Sequence, residues 1–125
     1  MTVVDSCGWI EYLADSSLAP QYEKYLQKPE ELITPSLVMY EVYKKVKKEK
    51  GEELALSVVA QMEKTKVVTL DEEIALLAAD LSIGHLLPLA DAVVYGTAMR
   101  EKAKVVTSDS HFKDLDDVVF LPSPG

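Results

Sequence analysis

Four carboxylates occupy positions in the sequence where solvated surface charges are not expected. Asp5 ends the apolar run that opens the chain, and Asp109 follows the run "KVVT". Glu41 lies in "LVMYEVYKKV" after an apolar turn, and Asp91 lies in "LLPLADAVVYG" between aliphatic residues. A carboxylate in such surroundings costs roughly several kcal/mol unless it is paired, protonated or coordinated to a metal. Each of the four acids therefore needs a partner.

Each acid also has a purely structural interpretation. Asp5 and Asp91 could cap the helices that begin beside them, because side-chain oxygens accept hydrogen bonds from free helical N–H groups. Glu41 could face solvent from its helix, and Asp109 could form a turn ahead of "SHF". Taken singly, these interpretations compete evenly with a functional one. Together they are weaker, because two strand ends and two helix starts would converge on one edge of a parallel sheet, where sites are built.

Strand and helix patterns alternate along the chain and supply the elements that would position these acids. The predicted strands are Val3–Val4, "ELIT", "KVVTL", "KVVTSD" and "VVFLP". The predicted helices are "GWIEYLAD", "APQYEKYLQK", "SLVMYEVYKKVKKEK" up to Gly51, residues 52–64, "EEIALLAADLSI" up to Gly84, and "LADAVVYGTAMREKA". Thr34 and Pro35 read as a helix cap and a first helical proline, and Asp71 reads as a second cap.

This alternation predicts an α/β fold with three layers, α/β/α, around a mostly parallel central sheet. Helices between strands provide the crossover connections that parallel strands need, so helices should cover both faces. The 125 residues suffice for a single domain, 1–125, with a sizeable core. No apolar run is long enough to span a bilayer, and the N-terminus does not have the pattern of a secretory signal. We expect a cytoplasmic protein with no membrane partner.

The charge of the chain restricts how it could bind a polyanion. The formal net charge is −8, the wrong sign for a protein that holds nucleic acid on a broad basic surface. Four clustered carboxylates cannot stay fully ionised without cations, since like charges at close range drive protonation. Oxygen ligands suit Mg²⁺ or Mn²⁺, and no paired histidines argue for zinc. Such metals activate water and polarise phosphoryl oxygens, which is the chemistry of phosphodiester hydrolysis.

Four segments carry a family resemblance. "VVDSCGWIEYL", "TPSLVMYEV", "LPLADAVVYGTA" and "VVTSDSHF" resemble, in this order, the motifs of the PIN-domain ribonucleases, in particular the VapC-type toxins of prokaryotic toxin–antitoxin pairs. The resemblance runs from residue 3 to the last strand. It implies a PIN-like α/β/α fold, Mg²⁺ or Mn²⁺ as cofactor, and cleavage of RNA by an endoribonuclease. It also implies a homodimer and inhibition by a cognate VapB-type antitoxin.

The resemblance also assigns site residues. Asp5, Glu41, Asp91 and Asp109 are the carried-over acids, expected both as metal ligands and as catalytic residues. Ser6 and Thr107 match the family's hydroxyl positions, where they could orient a carboxylate or a water, although Ser6 could cap a helix and Thr107 could be an ordinary strand residue. An antitoxin would place an Arg or Lys among the acids, because a guanidinium replaces the positive charge of the metal.

Other residues are open to more than one interpretation. Lys44 and Lys45 share a helix face with Glu41 and could steer phosphates, whereas later lysines complement the helix dipole. His85 and His111 could form a metal-free acid–base pair, although loop packing is favoured. The single cysteine, Cys7, reads as a small core residue. Aromatic residues at helical spacing indicate core or a dimer seam, and we favour the seam; they are Trp9, Tyr12, Tyr40 and Tyr43.

Two other function classes remain open at this stage. A receiver-like phosphoacceptor domain also binds Mg²⁺ with carboxylates at strand ends, but its phosphorylated acid would have to be Asp71, which reads better as a helix cap. A catalytically silent PIN-like module would bind RNA or a protein partner without cleaving, and the complete set of four acids argues against it.

Overall fold

The computed structural model describes residues 1–123, so the last two residues of the predicted domain lie outside it. Short 3₁₀ turns at Pro29–Glu31 and Ser110–Phe112 connect some of the elements. In chain order the strands and longer helices are β1 (Thr2–Val4), α1 (Ser6–Leu13), α2 (Ala19–Leu26), β2 (Leu32–Pro35), α3 (Ser36–Lys50), α4 (Glu52–Met62), β3 (Lys66–Val68), α5 (Glu72–His85), α6 (Leu89–Arg100), β4 (Lys104–Thr107) and β5 (Val118–Phe120).

The strands form one sheet in the order β3-β2-β1-β4-β5, and every pairing within residues 1–123 is parallel. Val3 lies opposite Ile33 on one side and Val105 on the other. The helices cover the sheet in packed pairs, which confirms the predicted α/β/α layers. The chain runs outward from β1 to β3, then returns to place β4 on the other side of β1. The boundary between β1 and β4 is therefore a topological switch point, where such sheets bind ligands.

The central strands are buried on both faces, as continuous apolar runs predict. Val3, Val4, Ile33, Val105 and Val106 are all inaccessible to solvent or nearly so. The prediction of a buried strand at "KVVTL" was only partly right. Strand β3 lies at the edge of the sheet, and among its residues only Val68 is buried.

Two predicted helix boundaries were wrong. Thr34 and Pro35 belong to β2, where they pair with Val67 and Val68 of β3, and the Thr34 hydroxyl lies 2.6 Å from Thr65 Oγ1 in a buried hydrogen bond instead of capping a helix. Helix α3 begins at Ser36 instead. Helix α5 continues past Gly84 and ends at His85, and the following residue, Leu86, caps it in a left-handed conformation with φ 57°. The predicted cap at Asp71 is confirmed, since its carboxylate accepts a hydrogen bond from the Ile74 N–H at 2.9 Å.

Trp9 packs in the hydrophobic core with 6% of its surface exposed, so its prediction as a dimer-seam residue was wrong. The helix that carries it presents Tyr12 and Leu13 to solvent instead. Only Gly8 and Trp9 are buried among the eight residues of α1, so the indole is the large side chain with which this helix enters the core. Helical spacing alone therefore does not show whether an aromatic residue lies in the core or at a dimer interface.

Helix α6 crosses the centre of the molecule, and its residues 92–98 are all buried. At Gly96 it packs closely on α5, since a Cβ there would lie 3.5 Å from the backbone nitrogen of Ala78, an ordinary van der Waals contact. Within the described part of the chain, no single helix has the length and apolar character needed to cross a membrane. Helices α5 and α6 meet that test only as a pair, and they are bent by 116° at the break between them.

Gly8→Ala is expected to destabilise the fold by about 1–3 kcal/mol through overpacking. A Cβ at Gly8 would lie 2.4 Å from a ring carbon of Tyr22 and 2.7 Å from the side chain of Val4, both completely buried or nearly so. Gly84→Ala is the matched control, because nothing lies within 4 Å of its Cβ and alanine favours the helix. Urea unfolding of both variants checks this, and equal stabilities would contradict the tight packing of α1 on α2.

Candidate active site

The four predicted acids are brought together at the switch point of the sheet. Asp5 directly follows β1 and Asp109 follows the neighbouring strand β4. Asp91 lies in the first turn of α6, and Glu41 in the second turn of α3. Burial, and after it repulsion from the other acids, raises the pKa of each of Asp5, Glu41 and Asp91. Elements far apart in sequence thus build one negative cluster.

Asp5 is the deepest of the four, with 4% of its surface exposed. Its Oδ1 accepts a hydrogen bond from the Ser6 N–H at 2.8 Å, and its Oδ2 accepts one from the Thr107 hydroxyl at 3.0 Å. Burial raises the pKa of Asp5, and these hydrogen bonds oppose the rise. Capping therefore explains only one of its two oxygens, because the other is held by a residue of β4.

Thr107 joins two of the acids. Its hydroxyl donates to Asp5 Oδ2 and accepts the Asp109 N–H, both at 3.0 Å, and its side chain is completely buried. The end of β4 and the end of β1 are thereby fixed relative to each other. This position matches the predicted role of Thr107 in orienting a carboxylate.

Thr107→Val is expected to lower both divalent-cation affinity and any cleavage by about 10- to 100-fold, the usual effect of losing a hydrogen bond that orients a ligand. It should also destabilise the protein by about 1–2 kcal/mol, because the Asp109 N–H loses its acceptor. Thr107→Ser keeps the hydroxyl and should restore most of the affinity. Calorimetric titration with Mn²⁺ checks both variants, and equal affinities for Val and Ser would show that the hydroxyl is dispensable.

Glu41 and Ser6 interact across α1 and α3. Glu41 is half-buried rather than fully solvent-facing, and burial raises the pKa of its carboxyl. The nearby Ser6 side chain opposes that rise. Ser6 therefore donates its N–H to Asp5 and also lowers the pKa of Glu41 with its side chain, which is more than the helix capping considered for it.

Asp91 does not cap α6. The cap position is Pro88, and the Asp91 side chain, 14% exposed, points to His111 instead. Burial, followed by repulsion from Asp109 and Asp5, raises the pKa of Asp91 to about 6, while His111 opposes the rise. A carboxyl with this pKa sits in a field that favours its neutral form, as expected where several acids share one site.

His111 is the site residue that sequence analysis undervalued. It is exposed in a turn, as a surface or loop residue would be, but its Nδ1 lies 2.9 Å from Asp91 Oδ2 and 3.0 Å from Asp109 Oδ1, so it contacts two of the acids. The ring of His85 instead packs edge-on against Tyr95, with the ring centres 6.1 Å apart. The signal that could have identified His111 is its position two residues after Asp109, in a short turn that returns its side chain toward the acid.

Cys7 and Tyr22 form a second layer behind Asp5 that the sequence did not reveal. The Cys7 sulfur lies 3.4 Å from Thr107 Oγ1 and 3.7 Å from Asp5 Oδ2. The Tyr22 hydroxyl donates to Ser108 Oγ at 2.9 Å. Burial raises the pKa values of the Cys7 thiol and the Tyr22 phenol, so both stay protonated at neutral pH. Cys7 is therefore part of the support of the site rather than a simple core residue.

Lys44 and Lys45 lie with Glu41 in a groove of about 420 Å³ that also includes Ser6 and Tyr40. The Lys44 ammonium approaches the Tyr40 hydroxyl at 3.4 Å, and Lys45 pairs with Glu49 at 2.8 Å. Both lysines are on the surface and can exchange these partners for a ligand, because exposed ion pairs contribute little energy. The predicted shared face with Glu41 is confirmed, whereas contact with a phosphate stays a prediction.

The donor set fits a divalent cation. Carboxylates dominate it, and one ligand atom each from Asp91, Asp109 and His111 lie within 4.8 Å of one another. A cation would remove the repulsion that raises the pKa values of the acids. Hard oxygen donors suit Mg²⁺ and Mn²⁺. Asp5 and Glu41 border the same cluster and are the further candidate ligands.

Comparisons with known proteins identify the family of this chain. The family model for the PIN domain matches residues 2–118, and the chain belongs to the PIN-domain family. No curated protein sequence matches the chain significantly.

Solved structures share the fold at low sequence identity. A toxin–antitoxin complex from Klebsiella pneumoniae is similar with a TM-score of 0.82 and 19% identity, over 95% of this chain and 96% of that one. VapC20 of Mycobacterium tuberculosis, described as a toxin that cleaves the sarcin–ricin loop, is similar with a TM-score of 0.76 and 15% identity. The match covers 94% of this chain and 97% of that one. PAE2754 of Pyrobaculum aerophilum is similar with a TM-score of 0.73 and 19% identity, over 95% of this chain and 87% of that one. These likenesses confirm the α/β/α fold.

Proposed function

We propose that this protein is a Mg²⁺- or Mn²⁺-dependent endoribonuclease and the toxin of a VapBC-type toxin–antitoxin pair, acting in the cytoplasm. The observation that carries the proposal is the convergence of Asp5, Glu41, Asp91 and Asp109 at the switch point of a PIN-domain sheet. Like charges assembled at such cost to the apo protein indicate a site that is completed by cations.

The chain's own residues divide the work of the proposed reaction. Asp5, Asp91 and Asp109 hold the cation site, and Thr107 fixes the first and last of them. When bound, divalent ions supply polarisation of a phosphoryl oxygen and activation of a water. Glu41, whose pKa burial raises and which lines the groove with Lys44 and Lys45, would accept a proton from an attacking water. Lys44 and Lys45 would orient the phosphate backbone beside it.

RNA is the proposed substrate, for two reasons. One is the resemblance of the acidic motifs to the PIN-domain ribonucleases. The other is the shared fold with a toxin described as cleaving the sarcin–ricin loop. Because the protein is acidic overall, the local field at a cation-loaded site would have to reverse sign to attract RNA. Binding should therefore be weak without divalent cations.

Incubation of the purified protein with a structured RNA and with DNA of the same sequence tests the proposal. We expect cleavage of RNA alone, with 5′-phosphate ends, in Mg²⁺ or Mn²⁺ and none in chelator. Full activity in chelator would instead assign the reaction to histidine chemistry. RNA that binds without being cut in either metal would identify a silent module.

The receiver-like alternative is not supported by the environment of Asp71. Its carboxylate caps α5 and pairs with Arg100, and both contacts lower its pKa. The Asp71 carboxylate therefore has a structural role at the start of α5. The PIN-domain match over residues 2–118 argues in the same direction.

A VapB-type antitoxin is the proposed protein partner, and solved structures of the same fold include toxin–antitoxin complexes. An antitoxin peptide carrying an Arg should compete with Mn²⁺, since a guanidinium can bind the same carboxylates bidentately. We expect saturating Mn²⁺ and Asp5→Asn each to weaken its affinity at least about tenfold. Unchanged affinity in both conditions would place the inhibitor elsewhere, over the path of the RNA.

A homodimer is also proposed. Tyr12 and Tyr40 remain exposed aromatic residues that a seam could use, although Trp9 does not. Exposed aromatic side chains are enriched at protein interfaces. Sedimentation at micromolar concentration tests the proposal, with Tyr40→Ser expected to weaken the dimer and a monomeric wild type contradicting it.

A further inference from the structure

We propose that His111 is a nitrogen ligand of the cation site and that it gives the site a preference for Mn²⁺ over Mg²⁺. The inference rests on the proposed function, because it concerns the cation that the acids would hold. It concerns a residue in contact with two of these acids whose donor atom is nitrogen, and the sequence had favoured a surface or loop position for it.

The first argument is the geometry of the three side chains. His111 Nδ1 lies 2.9 Å from Asp91 Oδ2 and 3.0 Å from Asp109 Oδ1. Ligands about 2.1 Å from an octahedral cation are separated by about 3.0 Å along each edge of the octahedron. The spacing of the nitrogen from both oxygens thus equals the spacing of neighbouring ligands, and a cation could take the place of the shared proton with little movement.

The second argument is that the backbone fixes the position of His111. The His111 N–H donates to Asp109 Oδ1 at 2.9 Å, so the same acid holds both the main chain and the ring. The next residue, Phe112, is completely buried and packs edge-on against Tyr95. The turn is therefore anchored on both sides of His111. The ring itself is 54% exposed, which leaves an entry path for an ion.

The third argument is the chemistry of the donor. Mg²⁺ takes oxygen ligands and gives up its waters reluctantly, whereas imidazole is a ligand for transition metals. Selectivity between ions of equal charge depends on ligand type and geometry. Replacing one oxygen of an acidic site with imidazole therefore favours Mn²⁺ relative to Mg²⁺.

Calorimetric titration of each ion into the RNA-free protein tests the inference without relying on activity. We expect the wild type to bind Mn²⁺ at least about tenfold more tightly than Mg²⁺. His111→Gln should lose about tenfold in Mn²⁺ affinity and less than about threefold in Mg²⁺ affinity. His85→Gln is the matched control, because the other histidine packs against Tyr95, and it should behave as the wild type.

Pulsed electron paramagnetic resonance of the Mn²⁺ complex gives a direct signature. We expect coupling to one imidazole nitrogen in the wild type and in His85→Gln, and its loss in His111→Gln. His111→Asp offers an oxygen donor at the same position. It should bind both ions with a smaller preference for Mn²⁺, and it keeps the test decisive if the glutamine variant folds poorly.

The outcomes separate this inference from the proposed function. Nitrogen coupling that persists in His111→Gln, or equal loss of both ions, would overturn the role of His111 while leaving the acidic cation site intact. Failure of the wild type to bind either ion at millimolar concentration would overturn the proposed function, and this inference with it.

Discussion

Asp91→Asn is expected to lower RNA cleavage by about 1,000-fold while making the cation-free protein more stable. The loss of activity follows from removing one carboxylate of the proposed cation site, where a single preorganised group is worth about 10²–10³-fold. The gain in stability follows from the pKa of Asp91, which burial and the neighbouring acids raise to about 6 from an ordinary value of 3.8. The fold therefore disfavours the ionised carboxylate that asparagine replaces.

The pH dependence of this gain has a definite sign. An acid with a raised pKa in the folded state contributes stability below its unfolded pKa and loses it as the pH rises through the folded pKa. For Asp91 the loss falls between about pH 4 and pH 6. Above that window, in chelator, the variant should be more stable than the wild type by about 1–2 kcal/mol. This is less than the full shift would give, because the side chain keeps some contact with water.

Urea unfolding of both proteins at pH 4 to 7.5 in chelator, together with cleavage rates in Mn²⁺, measures the two effects. Asp80→Asn is the matched control, since Asp80 is an exposed acid on the neighbouring helix. A variant of Asp91 that unfolds more readily would mean that Asp91 stabilises the start of α6. Cleavage by Asp91→Asn at the wild-type rate would show that Asp91 is not part of the site.

Saturating Mn²⁺ or Mg²⁺ is expected to raise the thermal stability of the wild type substantially, and chelation is expected to abolish cleavage. A ligand at 100 times its Kd stabilises the folded state by about 2.7 kcal/mol. In a domain of this size that corresponds to a rise in Tm of about 5–15 °C. The physical cause is that a cation removes the mutual repulsion of Asp5, Glu41, Asp91 and Asp109.

Differential scanning calorimetry with and without each ion checks this prediction. Potassium at the same ionic strength controls for general screening, which acts weakly on buried charges. Asp91→Asn should show less than half of the wild-type shift. An equal shift in the variant, or the same shift with potassium, would mean that the stabilising ion binds outside the acidic cluster.

Much of the fold and the four acids could be predicted because the relevant signals are local. Apolar runs marked the strands, and the acids at their ends marked one edge of a parallel sheet. The order of strands and helices alone was enough to predict that Asp5 and Asp109 lie near one another. The wrong assignments were those that depend on contacts between elements distant in the sequence. Thr34 belongs to β2 because it pairs with Val67 of β3, and β3 is exposed because it lies at the edge of the sheet.

The missed part of the site depends on contacts between distant residues. Nothing within the sequence around Tyr22 indicates that its hydroxyl reaches Ser108, 86 positions later. Cys7 resembled an inert core residue until the end of β4 placed Thr107 against its sulfur. His111 could be placed only once the turn after Asp109 was known to bring its ring back to Asp91. Side-chain direction, rather than residue type, was the missing information.

Anomalous diffraction from crystals soaked in Mn²⁺ would locate the cation itself. We expect a peak at coordination distance from carboxylate oxygens of Asp91 and Asp109, on the side of the cluster that Asp5 and Glu41 border. The same soak of Asp91→Asn should show a weaker peak or none. Absence of a peak in the wild type at saturating Mn²⁺, or a peak only at acids elsewhere on the surface, would contradict the proposal that these carboxylates form the cation site.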